Sequence, residues 1–326
     1  MANGQDVRQL VHTPAEMMSD YVRWAERAKD DPGIPWGLPA IDKRVIPMRP
    51  GELIAIMGRP GHGKTSLLAY LARQEANRII KRGAAATEAV VYVSWEQASE
   101  EISAMLLADA YGFSYSVSDV AWGRVDLDTI RRQAVKGGGH PIWIVGHGIG
   151  RVGKNPPRMT PEVVLAAIES MQEDFGVKPT LMLFDYLQII PIKSASERVQ
   201  QVTEAPIRIK EVALRLGAPA VCGVQASRDA DKRNDHIPEM FDAQWASSIE
   251  QTCDKVFGLW RPARDHEIGH RFKAESGKEY TVSEALMFVR MLKQRGDQGR
   301  HTWALYFDPS RLKLAEMETS ANDRDF

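Results

Sequence analysis

The chain has 326 residues, 44% of them hydrophobic and 26% charged, with a formal net charge of -1. That length suits one large α/β domain or two small ones, and that composition excludes wholesale disorder. The near-neutral balance excludes a globally basic nucleic-acid binder. Any contact with nucleic acid has to come from a local patch or from backbone amides.

Two cysteines, Cys222 and Cys253, are too few for a disulfide scaffold and point to a reducing compartment. The first six residues form no apolar signal segment, and no stretch approaches the ~18 apolar residues of a membrane span. The expected setting is the cytoplasm, without a membrane partner.

Residues 1–35 read as an N-terminal segment carrying one amphipathic helix. Thr13 is the N-cap, Pro14 sits at the first helical position, and Glu16 completes a capping box. Met17, Tyr21, Trp24 and Ala28 recur at helical spacing, and Asp30-Asp31-Pro32-Gly33 stops the helix. The stripe needs a surface to bury against, either the chain's own core or a neighbouring subunit.

Short apolar runs follow at residues 53–57, 90–93, 142–145, 181–184 and 219–224, then at 256–259, 285–291 and 302–307. Amphipathic helices from about Lys64 and Ser99 alternate with them. This pattern predicts an α/β fold with a mostly parallel sheet covered on both faces. The last strands lack long helices between them, so that edge is expected to be partly antiparallel. The stretch 313–326 reads as a mildly acidic tail.

Gly58-Arg59-Pro60-Gly61-His62-Gly63-Lys64-Thr65 fits G-x-x-x-x-G-K-[ST] between an apolar strand and a helix. The glycines let backbone amides wrap phosphates, and the helix N-terminus favours an anion. Lys64 is expected to reach the β- and γ-phosphates and Thr65 to ligand Mg²⁺, with Ser66 completing the binding segment. A chance glycine turn is the bland alternative; the strand–turn–helix context argues against it. Leu181-Met182-Leu183-Phe184-Asp185 is a Walker B pattern, with Asp185 on the Mg²⁺ side. Glu96 follows the second strand, where an acid points into the ligand crevice of an open sheet. It is either the group that activates water or an acid that complements a helix dipole.

Together these stretches resemble the motor domain of DnaB-type hexameric replicative helicases. Trp36-Gly37-Leu38-Pro39-Ala40-Ile41-Asp42 and Arg49-Pro50-Gly51-Glu52-Leu53 are similar to that family's approach to the P-loop. Ser94-Trp95-Glu96-Gln97 resembles its Ser-Leu-Glu-Met segment, and Asp185-Tyr186-Leu187-Gln188 its Walker B extension. Val224-Gln225-Ala226-Ser227-Arg228 resembles Ser-Gln-Leu-Asn-Arg, Ser248-Ile249-Glu250-Gln251 with Asp254 a further segment, and Lys293-Gln294-Arg295-Gly296 the Lys-Gln-Arg-Asn-Gly run. The resemblance implies a RecA-like P-loop fold over 36–312, preceded by a linker helix. It implies ATP and Mg²⁺ as cofactors, and a ring, expected to be a hexamer, that translocates on single-stranded DNA. Replication or mobile-element proteins are the partners it suggests. It makes Glu96 the catalytic base and Gln225 the nucleotide sensor, and it sends Lys293 and Arg295 into the next subunit's site. A solvated strand end is the plain alternative for those two.

The sequence also departs from the family. No collar domain is expected ahead of the motor, only the helix near residues 13–29, which resembles the family's linker helix. The Arg-Glu-Ser-Gly segment of a DNA-gripping pore loop is here Gln244-Trp245-Ala246-Ser247. Trp245 could stack on a base. Lys193 and Arg198 fall in the first pore loop, and Arg228, Lys232 and Arg233 in the second. Arg151, Lys154 and Arg158 form a basic loop that either touches phosphates or is simply solvated. Pro206 is expected to break or kink the helix after Walker B. His266-Glu267-Ile268-Gly269-His270 fits H-E-x-x-H, but its charged flanks carry no helical stripe, so a surface connection is expected. Two other readings remain: a RecA- or KaiC-like ATPase that remodels or signals without unwinding, and an ATP-gated binding platform.

Overall fold

The computed structural model describes residues 11–110, 117–149, 157–192, 198–227, 229–230, 233, 236–243, 246–274, 277–296, 300–308 and 313–317. Helix α1 spans Pro14–Asp30. Its capping box is closed in both directions: the Thr13 hydroxyl accepts from the Glu16 amide at 3.3 Å, and the Glu16 carboxylate accepts from the Thr13 amide at 2.6 Å. The helix buries none of its residues. Met17, Tyr21 and Trp24 are 56%, 60% and 53% exposed, and the Arg49 guanidinium lies 5.6 Å from the Trp24 ring centroid.

After α1 the chain turns into the core through Trp36, which is buried against Phe257 with ring centroids 4.4 Å apart. Asp42 fixes this corner by accepting from the amides of Trp36 and Gly37 at 2.6 and 3.1 Å.

The strands are β1 (Leu53–Gly58), β2 (Glu88–Ser94), β3 (Ile142–Val145), β4 (Lys178–Asp185), β5 (Ala220–Gln225), β6 (Lys255–Trp260), β7 (Arg271–Lys273), β8 (Glu279–Thr281), β9 (Leu286–Gln294), β10 (Thr302–Asp308) and β11 (Lys313–Glu316). Nine of them form one sheet in the order β11-β10-β9-β6-β1-β5-β4-β2-β3. The run from β6 to β3 is parallel, and β9, β10 and β11 add antiparallel ladders at the β6 edge. A parallel sheet needs both faces covered, and the apolar runs supply them. Ile54 and Ile56 point to one face, with Tyr92, Leu181 and Leu183, under helix α2 (Lys64–Lys81). Leu53, Ala55 and Met57 point to the other, with Val91, Val93 and Phe184, under α5 (Pro161–Phe175) and α6 (Arg198–Leu216). Helices α3 (Ser99–Ala110) and α4 (Leu127–Gly137) lie in the crossover between β2 and β3, and α7 (Ala246–Thr252) precedes β6.

Two expectations need correction. Residues 313–316 do not begin a tail; they form β11, with Leu314 paired to Phe307. Its one deeply buried apolar side chain is too weak a sequence signal for a strand. Pro206 does not break its helix, because α6 continues from Arg198 to Leu216 around it. The stretch 266–270 is a surface connection between two strands, β6 and β7, as expected, and the β7–β8 hairpin follows it with strands of three residues each that are rich in charge. Cys222 and Cys253 are buried and free. Among the described residues, no helix is long and apolar enough to cross a membrane.

Candidate active site

Strand register brings the site together. Gly58 stands beside Gln225, and Ser94 beside Asp185, so four chain segments finish at the same end of the sheet. The carboxyl end of an open α/β sheet is where such folds bind ligands.

The loop from Gly58 to Thr65 crosses this end. Gly61 and Gly63 adopt φ of +79° and +95°, a region that a side chain disfavours. At Gly63 a Cβ would also meet Met287 Cε at 2.4 Å. Helix α2 starts at Lys64, so its free amide groups and dipole face the loop. Pro60 and Gly61 are exposed, Arg59 and Ser66 are half-buried, and His62 is buried. The Lys64 ammonium donates to the carbonyls of Gly58 and Arg59 at 2.8 and 3.0 Å. Burial lowers its pKa to about 8, opposed by the negative charges of Asp185 and Glu96.

Asp185 is buried at the end of β4 and follows four apolar residues, as the Walker B pattern expects. Burial raises its pKa, while hydrogen bonds from the Thr65 and Tyr92 hydroxyls and the charge of Lys64 pull it down. Thr65 and Asp185 are therefore close neighbours. Tyr92 reaches across from β2 and donates to the Asp185 carboxylate at 2.9 Å. The Asp185–Tyr186 peptide bond is cis.

Glu96 is exposed in the turn that leaves β2. The Ser94 hydroxyl holds this turn by accepting from the Gln97 amide at 3.1 Å. Trp95 anchors its other side: the indole stacks on Phe184 and donates to the Met159 carbonyl at 2.7 Å. Gln225 ends β5, and its carbonyl accepts from the Gln188 side chain at 3.1 Å. The structure thus gathers Lys64, Thr65, Asp185, Glu96 and Gln225 at one end of the sheet.

Lys293 and Arg295 lie at the opposite end. Strand β9 runs against β6, so Gln294 pairs with Lys255, the first residue of β6, and Lys255 stands level with Ile54 near the start of β1. The Lys293 ammonium donates to the Glu250 and Cys253 carbonyls, the latter at 2.7 Å. Arg295 is exposed, donates to the Gln251 carbonyl at 3.2 Å and lies 3.4 Å from Asp254. The P-loop begins where β1 finishes, so neither side chain faces its own chain's Lys64.

Of the residues expected near DNA, Arg233 binds the buried Asp242 carboxylate and donates to the Ile237 carbonyl at 3.1 Å. Lys193, Arg228, Lys232 and Trp245 lie outside the described residues, as do Arg151, Lys154 and the side chain of Arg198. His266 and His270 sit on the connection between β6 and β7 with rings 5.0 Å apart, not on one face of a helix.

Sequence reasoning missed Tyr92, which reaches the site from a buried position. It also missed Asp265, whose carboxylate lies 3.7 Å from Arg59 and 3.8 Å from His62. No motif marks these residues; only strand pairing and loop packing bring them in.

A parallel sheet with a P-loop after its first strand, and a strand-end carboxylate beside the P-loop threonine, defines the RecA-like class of ATPase folds. The chain belongs to the DnaB-like helicase C terminal domain family, whose model matches residues 33–315. It is similar to the replicative DNA helicase DnaB of Rickettsia bellii, with 26% identity over 70% of this chain and 45% of that protein. The DnaB of Rickettsia conorii is 28% identical over 88% of this chain and 58% of that protein. The chain spans about half the length of the curated relatives it matches. The solved structure of a DnaB-like replicative helicase superposes with a TM-score of 0.71 at 19% identity, covering 94% of this chain and 68% of that one.

Proposed function

We propose that this chain is an ATP-driven DNA translocase and helicase that works as a homo-oligomeric ring, a hexamer, on single-stranded DNA in the cytoplasm. One observation carries the reading: the parts of the proposed ATPase centre lie at opposite ends of one sheet. Lys64, Thr65, Asp185 and Glu96 converge at one end, while the cations Lys293 and Arg295 stand at the other. A complete centre then needs two copies, the second presenting Lys293 and Arg295 to the first. Packing subunits head to tail in this way gives a ring when the rotation between copies closes, as it does in the proposed hexamer.

The residues present fit MgATP. The loop offers amides and the Lys64 cation for the phosphates, and Thr65 and Asp185 are neighbours, so both can serve one Mg²⁺. Bound there, the metal would neutralise charge on the β- and γ-phosphate oxygens. Glu96 would orient and deprotonate the attacking water. Arg295 of the adjacent copy would stabilise charge that develops on the γ-phosphoryl group, and Lys293 would support it. Gln225, level with Gly58, would sense whether that phosphate is present. Family membership disfavours the RecA- or KaiC-like alternative without unwinding.

Mixed rings test the shared site. Arg295→Ala and Glu96→Gln subunits should each be nearly inactive alone. Mixed, they should recover ATPase, because one type of interface then has Glu96 and Arg295 both intact. No recovery at any ratio, with mixed rings verified by mass spectrometry, would refute a site shared in this way.

A further inference from the structure

The motifs account for Lys64, Asp185 and Glu96 but not for a second network beside the P-loop, centred on Asp265. Its carboxylate accepts from the Trp260 indole at 2.7 Å and meets His236 Nδ1 at 3.1 Å on the same oxygen. Its other oxygen faces the P-loop, 3.7 Å from the Arg59 guanidinium and 3.8 Å from His62 Nε2. His62 is fixed in turn, because its Nδ1 accepts from the Arg261 amide at 3.2 Å, which leaves Nε2 to carry the proton toward Asp265. One carboxylate therefore joins two variable positions of the P-loop to one residue of the segment that follows β5.

The described residues of that segment are tied down at several points. It opens and closes at a bridge between Ala226 and Ala243, and the Ala226 amide donates to the Gly58 carbonyl at the start of the P-loop. Inside, Arg233 pairs with the buried Asp242. His236 holds φ +40°, a conformation that is strained for a non-glycine residue and persists only where surrounding contacts enforce it. The next residues press on β6: a Cβ on Gly258 would meet the Pro238 carbonyl oxygen at 2.7 Å. Ile237 packs with Trp260 and Phe288. The segment is thus seated on the strand that leads directly to Asp265.

We propose that Asp265 is a positioning residue that couples the P-loop to the 226–243 segment, so that nucleotide phosphates engaging the Arg59–His62 stretch alter the restraint on His236. This rests on the proposed nucleotide site and extends it: the segment responds to nucleotide even when no DNA is bound. Asp265 touches neither phosphate nor metal; it acts through Arg59 and His62 on one side and His236 on the other. Two-site coupling of this kind typically spans about 5- to 150-fold in affinity.

The test uses the full chain and hydrogen exchange of the 236–243 backbone, with and without a slowly hydrolysed ATP analogue and Mg²⁺. Nucleotide binding is followed separately by calorimetry. Wild type should bind nucleotide and change its exchange rate in 236–243. Asp265→Asn keeps the shape but removes the charge facing Arg59 and His62, and His236→Phe cuts the other side without touching the P-loop. Both variants should bind the analogue yet lose most of the exchange response, and the double variant should lose no more than either single one. Should Asp265→Asn fail to fold, His236→Phe alone decides. A nucleotide-dependent response equal to wild type in His236→Phe overturns the coupling. A wild type that binds no nucleotide overturns the proposed function itself, which is a separate and visible result.

Discussion

Tyr92 donates a 2.9 Å hydrogen bond to Asp185 across neighbouring strands, with both side chains buried. The bond joins the carboxylate to a rigid point of the core and offsets part of the cost of burying it. Tyr92→Phe should keep the ring packing and lose only the hydroxyl. A hydrogen bond to a charged buried group is worth about 1.5–3 kcal/mol, so the midpoint of urea unfolding should fall by a corresponding amount. Turnover should fall as Asp185 loses its fixed orientation. An unchanged unfolding midpoint with unchanged kcat would show the bond to be incidental.

Lys64 and Glu96 should separate in their effects. Lys64→Ala removes the cation of the P-loop, so nucleotide affinity and hydrolysis should fall together. Glu96→Gln keeps the size of the exposed side chain and removes its basicity, so binding should persist while kcat drops about a hundred- to ten-thousandfold. Titration calorimetry beside steady-state ATPase measures both. Normal turnover in Glu96→Gln would remove the base from this position.

Motifs and elementary strand patterning locate most of the P-loop end of the sheet. The runs 53–57, 90–93, 142–145 and 181–184 are apolar enough to be recognised as buried strands, and each lies within an observed strand. What pairs with what is not legible in the sequence. The contacts of Asp185 with Tyr92, and of Asp265 with His62, join residues far apart in the chain, and neither pair has a spacing that local patterning could detect. Strand β11 is hidden because Leu314 alone carries its deep burial. The residues expected to face DNA rest on position in a family pattern, and of those expected in the second loop Arg233, the one within the described residues, is engaged with Asp242.

Acid should loosen the P-loop through His62. Burial lowers the pKa of this imidazole to about 4, against the attraction of Asp265 and with the repulsion of Arg59, Lys64 and Arg261. A histidine in the unfolded chain titrates near 6.5, so between about pH 6.5 and 4 the unfolded state binds more protons than the folded one. Stability should therefore fall as pH drops through that window, with a contribution from this residue on the order of 3 kcal/mol at most. His62→Gln should flatten the pH dependence of the thermal midpoint there. An unaltered slope would show that other groups govern it.

The exposed stripe of α1 should be an assembly element. Met17, Tyr21 and Trp24 all stay more than half exposed in the single chain, although both hydrogen bonds of the helix's capping box are made. Burying each against another subunit would contribute roughly 1.5–3 kcal/mol. Deleting residues 1–30 should shift rings toward monomers in light scattering while circular dichroism reports a folded core. Full rings without α1 would assign the stripe to another role.

ATP hydrolysis between subunits should drive movement along DNA strongly enough to separate strands. The most direct measurement is strand release from a fluorescently labelled forked duplex, with ATP and Mg²⁺, by the full chain. Wild type should release the strand at a rate that rises with ATP, and Glu96→Gln should bind the fork without releasing it. ATP hydrolysis stimulated by single-stranded DNA, with no strand release on any fork polarity, would contradict the helicase reading.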